Sequence, residues 1–189
     1  MVTEVNGFDF LKWLESAADI EAELTQLLTT LTEAQFHAPP RAGGWSVGYC
    51  VEHLVLTGQA FLPKWDLALR ETCMESQGKE TFRYGWCQKM ILRYAADPSK
   101  LKRKTAPAFM PYSRHSIKET VDRFLGMHKE FAKRVARSRG LDVMHAKVQS
   151  PFASWIRYAL GFSFDLVLAH ERRHIYQVVR IRRQLIDGV

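Results

Sequence analysis

Apolar side chains recur every three or four residues in four long stretches of the chain, a spacing that marks amphipathic helices. The first covers about 8–31, with Phe10, Leu11, Leu14, Ala17, Ala18, Ala22, Leu24, Leu27, Leu28 and Leu31 on its apolar side. Pro39, Pro40, Gly43 and Gly44 then stop it. The second begins at Ser46, whose hydroxyl can cap the free amides of a first turn. Its stripe is Val47, Cys50, Val51, Leu54, Phe61, Leu62, Trp65 and Leu69, and Pro63 within it predicts a kink or break. The third runs over 116–138, with Ile117, Val121, Phe124, Leu125, Phe131 and Val135 facing a core and Gly140 ending it. The fourth is predicted over 155–185 with Ser154 as its cap, a rod of about 45 Å.

Between the second and third stretches the pattern weakens. Trp86 to Tyr94 reads as a short helix, and the following "ADPSKLKRKTAPAFMPY" as extended loop. A connection this long suits a crossover between distant helices. There is no internal repeat and no alternating strand pattern. The expectation is therefore an all-α chain, a single domain over 1–189, built as a four-helix bundle with a long crossover.

Charge adds an asymmetry. Residues 1–78 hold 4 basic and 11 acidic side chains, residues 79–139 hold 16 and 5, and residues 140–189 hold 7 and 4. The densest basic run is Lys100 to Thr105. Such a run fits an anionic ligand or a solvated face. No nucleic-acid motif accompanies it, so nucleic acid is not an expected partner. No apolar run approaches a membrane span and the N-terminus lacks the regions of a signal peptide, so no membrane partner and a cytoplasmic location are expected. Cys50, Cys73 and Cys87 have no C-x-x-C pairing and suggest neither a disulfide framework nor a cysteine zinc site.

The chemistry concentrates in the fourth stretch. Ile156, Leu160, Ser163, Val167, His170, His174, Gln177, Ile181 and Leu185 follow one another in steps of three and four and so share a helix face. His170 and His174 are one turn apart on that face, where both imidazoles can reach one cation. His53, one turn past Cys50 on the second helix, is the candidate third ligand. His37, His115, His128 and His145 fall in loops or on polar faces and are read as surface residues. Glu171 is expected to pair with neighbouring arginines or face solvent.

Two segments bear a family resemblance. "GGWSVGYCVEHL" resembles the Gly-Trp-Ser turn and histidine-bearing helix of the DinB/YfiT-like proteins, and "HERRHIYQVVRIRRQL" resembles their last-helix H-x-x-x-H-x-x-Q pattern. "TAPAFMPYS" is similar to their lead-in to the third helix, while residues 78–107 match poorly. The resemblance implies a metal-binding four-helix bundle and a histidine triad at His53, His170 and His174. It also implies a divalent metal, often zinc or nickel, and often a homodimer. It does not imply one reaction: relatives include thiol-dependent S-transferases, a mycothiol-dependent maleylpyruvate isomerase and metal-dependent hydrolases.

The leading functional expectation is a metal-dependent enzyme acting on a small-molecule substrate, either a hydrolase or a transferase or isomerase using a low-molecular-weight thiol. Its catalytic residues beyond the metal ligands are left unassigned; Trp45 and Gln177 are candidates for the pocket mouth. The alternative is a non-catalytic, metal-stabilised binding or sensor protein. His170 to His174 also spells the H-E-x-x-H of zinc proteases, with Glu171 as base. Only 15 residues follow His174 and they contain neither His nor Glu, so the usual downstream ligand is missing.

Overall fold

The periodic stretches fold into helices whose ends are set by short polar side chains. In the computed structural model, which describes residues 7–41, 43–72, 75–76, 81–97, 105–112 and 114–186, the elements in chain order are β1 (Gly7–Asp9), α1 (Phe10–Thr29), α2 (Glu33–His37), α3 (Val47–Glu71), β2 (Thr81–Arg83), α4 (Trp86–Ala96), α5 (Ile117–Arg137), β3 (Lys147–Gln149), β4 (Arg157–Ala159) and α6 (Leu160–Ile186). A 3-10 turn, Pro107–Phe109, precedes α5. Asp9 caps α1 and Ser46 caps α3, each accepting from first-turn amides. Ser116 and Glu119 close a reciprocal capping box on α5.

Cross-helix contacts fix the directions. Glu52 and Asp66 of α3 meet Arg123 and Arg134 of α5 in the same order, so these neighbours run parallel. Trp65 Nε1 donates to Ser163 Oγ while His53 lies beside His170 and His174, so α3 and α6 are antiparallel. Arg172 reaches Ser16 and Arg182 reaches Thr30, which makes α1 and α6 parallel. Two parallel neighbours, α3 and α5, oblige the chain to travel back along a helix of roughly 37 Å before α5 can begin. The segment between them makes that journey, with α4 packed on α6. The expected four-helix bundle with a long crossover is therefore what forms.

Several local expectations are corrected. α1 buries Phe10, Trp13, Ala17, Ile20, Leu24 and Leu28. Leu11 and Leu14 are exposed, because a one-residue error in the stripe turns the face by about 100°. α3 is not broken at Pro63. The proline is exposed, as is Gln59 one turn before it, so the carbonyl that loses its partner faces water. α6 starts at Leu160, not near Ser154, since Arg157–Ala159 pairs antiparallel with Lys147–Gln149. The first α6 amides, Leu160 and Gly161, donate to Ala146 and Val143 instead of to a serine cap. A second ribbon joins β1 to β2, with Gly7 opposite Arg83. A Cβ on Gly7 would fall 1.6 Å from the Phe82 carbonyl oxygen, so that contact requires glycine.

The charge asymmetry is partly spent inside the bundle. Arg123 pairs with the buried Glu52, and Arg134 and Arg137 both bind Asp66. The acidic first half and basic middle of the chain thus meet along α3 and α5. Lys100 to Lys104 and Cys73 lie outside the described residues.

Candidate metal centre

Antiparallel packing of α3 on α6 brings together the three histidines singled out in the sequence. His53 is buried on α3; His170 and His174 are half-buried on α6. One nitrogen from each lies within 4.8 Å of the others. The ring centroids are 5.2 Å apart for His53 and His170, 4.8 Å for His53 and His174, and 4.6 Å for His170 and His174. The Nε2 atoms of His170 and His174 are 3.1 Å apart. Two nitrogens on one tetrahedral zinc stand ~3.3 Å apart, so the pair is already spaced for a shared cation.

The surroundings favour neutral, ligating imidazoles. His53 Nδ1 lies 2.8 Å from the Phe109 carbonyl oxygen in the 3-10 turn. A carbonyl only accepts, so Nδ1 carries the proton and Nε2 keeps its lone pair. Burial lowers the His53 pKa, with the Phe109 carbonyl opposing. Burial also holds His170 well below its ordinary value, reinforced by His174, His53 and Arg173. His174 is pushed down to about 3 by burial, then by His53 and Arg173, against the pull of the Gln177 side chain. His174 Nδ1 is buried without a hydrogen-bond partner. Trp45 closes one side, its ring centroid 5.0 Å from that of His53 and stacked 6.4 Å from that of His174. Protonated rings this close would repel, whereas neutral rings can turn their lone pairs to one shared cation without burying charge on the rings. The donor set therefore fits a divalent metal.

Two sequence readings fail here. His128 is not a surface residue; it is 1% exposed. Glu171 neither pairs with arginines nor faces water; it is 1% exposed. His128 Nε2 lies 3.1 Å from Glu171 Oε1, and Nδ1 lies 3.0 Å from Oε1 of Glu21 on α1. Burial lowers the His128 pKa, but the two carboxylates outweigh it and the net shift is upward. The missed signal was in the spacing. Phe124, His128, Phe131 and Val135 step by four, three and four, and Phe164, Leu168, Glu171, Ile175 and Val178 step the same way. α6 carries two adjacent stripes, and the deeper one contains Glu171. His37, His115 and His145 do lie at or near the surface, beside Glu33, Glu119 and Asp142.

Next to the triad, a cavity of about 190 Å³ opens between α3, α4 and α6. Its wall is mostly apolar, with Leu54, Phe61, Ile91 and Phe152 among the lining residues. His170, Glu171 and Thr57 supply its polar side chains, and Tyr158 an amphipathic one. Glu171 Oε2 is buried and unpartnered. The H-E-x-x-H protease arrangement is not what the helix presents: Glu171 is held by His128 across the core, and the companion of His170 and His174 is His53.

Comparison with known proteins agrees with this architecture. The sequence profile of the DinB superfamily matches residues 18–178. Among solved structures, the chain resembles YfiT from Bacillus subtilis, a probable metal-dependent hydrolase with an unusual four-helix bundle topology. That likeness has a TM-score of 0.58 at 19% identity and covers 93% of this chain and 86% of YfiT. No curated protein sequence matches.

Proposed function

Because the chain belongs to the DinB superfamily, and because that fold here gathers three imidazoles beside an apolar cavity, we propose that it is a metal-dependent enzyme for a small-molecule substrate. Hydrolysis is the first reading. The observation that carries it is the triad: His53, His170 and His174 within 4.8 Å, with no carboxylate among them. When bound, a divalent cation supplies a Lewis acid with a position left open for substrate, since three protein ligands leave four-coordinate zinc one short. Zinc or nickel suits the imidazole set.

The chain's own residues supply orientation and exclusion of water. The Phe109 carbonyl fixes the His53 tautomer and ring plane. Trp45 shields the rings of His53 and His174 from one side. The cavity wall offers the substrate an apolar bed reaching His170. YfiT, with a similar fold, is described as a probable metal-dependent hydrolase, which supports the same assignment here. A thiol-dependent transfer or isomerisation is the second reading, favoured by a ligand set of neutral imidazoles that leaves a dication's charge free to hold a thiolate.

Elemental analysis of purified protein tests the centre, and about one divalent metal per chain is expected from a three-ligand site. A screen of esters and amides, with and without low-molecular-weight thiols, then separates the two reactions. Thiol-independent turnover lost on chelation supports the hydrolase. Turnover only with thiol supports the second reading. Protein that takes up no metal would defeat both, and metal without turnover on any substrate would leave a structural or sensing site.

A further inference from the structure

The cavity between α3, α4 and α6 borders the metal centre twice. His170 forms part of its wall. Phe152, also on the wall, packs edge-on against the Phe109 ring at 4.9 Å, and the Phe109 carbonyl is the group that orients His53. A molecule in the cavity therefore lies beside the ligand set. The mouth stays open to solvent, since Ile91 and Phe152 are 42% and 47% exposed.

The wall has little polarity left to offer. Thr57 Oγ1 donates to the His53 carbonyl at 2.8 Å, and Tyr158 Oη to Ser150 Oγ at 3.2 Å. Glu171 is 1% exposed, with Oε1 against His128 and Oε2 buried, so its carboxylate is shut away behind the wall. No lysine, arginine or aspartate lines the cavity, and His170 is the remaining polar side chain. A charged group pushed inside loses its water with nothing to replace it. An apolar group gains by leaving water. An apolar protein cavity of roughly 150 Å³ holds benzene; this one, at about 190 Å³, has room for a ring and a short substituent. From α4 the wall is made by Ile91 and Ala95, one turn apart, and Ala95 is the smaller of the two.

We propose that substrates of the metal centre carry an uncharged apolar group, a ring or a branched chain of similar bulk, which seats in this cavity with the reacting polar group at its His170 end, and that Ala95 sets how bulky that group can be. This substrate class rests on the metal-dependent reading above. It selects against a charge on the seated group, and it holds for either reaction.

Hydroxamates, which bind a protein-held metal through their polar end, test it on the metal-loaded protein by calorimetry. Benzohydroxamate should bind about ten-fold or more tightly than acetohydroxamate, because its ring leaves water. A carboxylate in the para position should cost about ten-fold or more, because the cavity cannot solvate it. Ala95→Trp should bring benzohydroxamate within about two-fold of acetohydroxamate, with metal content and acetohydroxamate affinity unchanged. Should that variant not fold, the wild-type series still decides. Toluene, titrated into chelator-treated protein, should bind at one site. Equal affinities for the first two hydroxamates, a para-carboxylate without cost, a ring preference that survives Ala95→Trp, or no toluene binding would each overturn the proposal. Metal uptake is measured separately. Metal uptake without a ring preference removes this inference and leaves the metal centre. Toluene binding in a chain that takes up no metal removes the metal-dependent reading and the substrate role with it, and leaves the apolar pocket.

Discussion

α6 carries two buried polar clusters one residue apart, and they meet burial in opposite ways. His170 faces α3 and joins His174 and His53, three bases with no acid among them. Glu171 faces the core and joins His128 and Glu21, a base between two acids. In the first cluster burial and mutual repulsion drive the pKa values down. In the second, the carboxylates lift His128 above its ordinary value despite burial. The second cluster supplies its own counter-charge. The first gathers no carboxylate among the described residues, and its three bases could be completed by a cation from outside the chain. Chemistry that needs a cation therefore belongs to the first, and structural cohesion to the second.

The largest expected effect separates the two by metal. His53→Ala should weaken metal binding by about 100-fold or more, as should His170→Ala, since each removes one of three ligands. Glu171→Gln should leave metal content unchanged. Metal titration with a colorimetric chelator reads both. Equal losses in the two clusters would mean that Glu171 is a ligand and that the division is wrong.

Next in size is a stability effect confined to the second cluster. His128→Leu should cost about 3–5 kcal/mol in urea unfolding, because it strands a buried carboxylate. Adding Glu171→Leu should recover most of that loss, because an apolar pair no longer has a charge to satisfy. A double variant no more stable than the single one would show that His128 matters for packing rather than charge.

The smallest effect sharpens the comparison with a third, half-buried polar group on the same helix. Asp165 accepts a hydrogen bond from Tyr84 Oη at 2.7 Å. Burial pushes its pKa up from 3.8 to about 7, with the Tyr84 hydrogen bond opposing and Asp9 adding to the rise. The folded state thus keeps a proton between roughly pH 4 and 7 that the unfolded chain has released. Stability from this group is full below pH 4 and falls as pH rises to 7. Asp165→Asn keeps the acceptor for Tyr84 and removes the charge. It should gain ~1–3 kcal/mol at pH 8 and almost nothing at pH 4, measured by thermal unfolding across pH. A pH-independent gain would mean that the carboxyl is not held protonated.

Much of this was legible in residue spacing. The long helices, the cap at Ser46, the short helix at Trp86 and the need for a crossover all follow from periodicity and stop signals. His170 and His174 share a face by their four-residue step alone, and His53 follows from its place beside Cys50 and Leu54. Helix rotation was read less well. Trp13 and Ile20, not Leu11 and Leu14, enter the core, because several overlapping apolar stripes suit one alanine- and leucine-rich helix. The ribbon at Arg157–Ala159 was also hidden, since three residues are too few to show an alternation.

What the sequence by itself determined is the set of faces: which side chains can stand together on one helix, and hence a two-histidine edge on α6 and one histidine on α3. Only the tertiary structure decided what those faces meet. The carbonyl that orients His53 comes from Phe109, 56 residues away. The partners that bury His128 and Glu171 come from α1, α5 and α6 at once. Spacing along one helix is a local, covalent constraint. The pairing of faces across the bundle depends on helix direction and rotation, and these are settled by packing the whole core together.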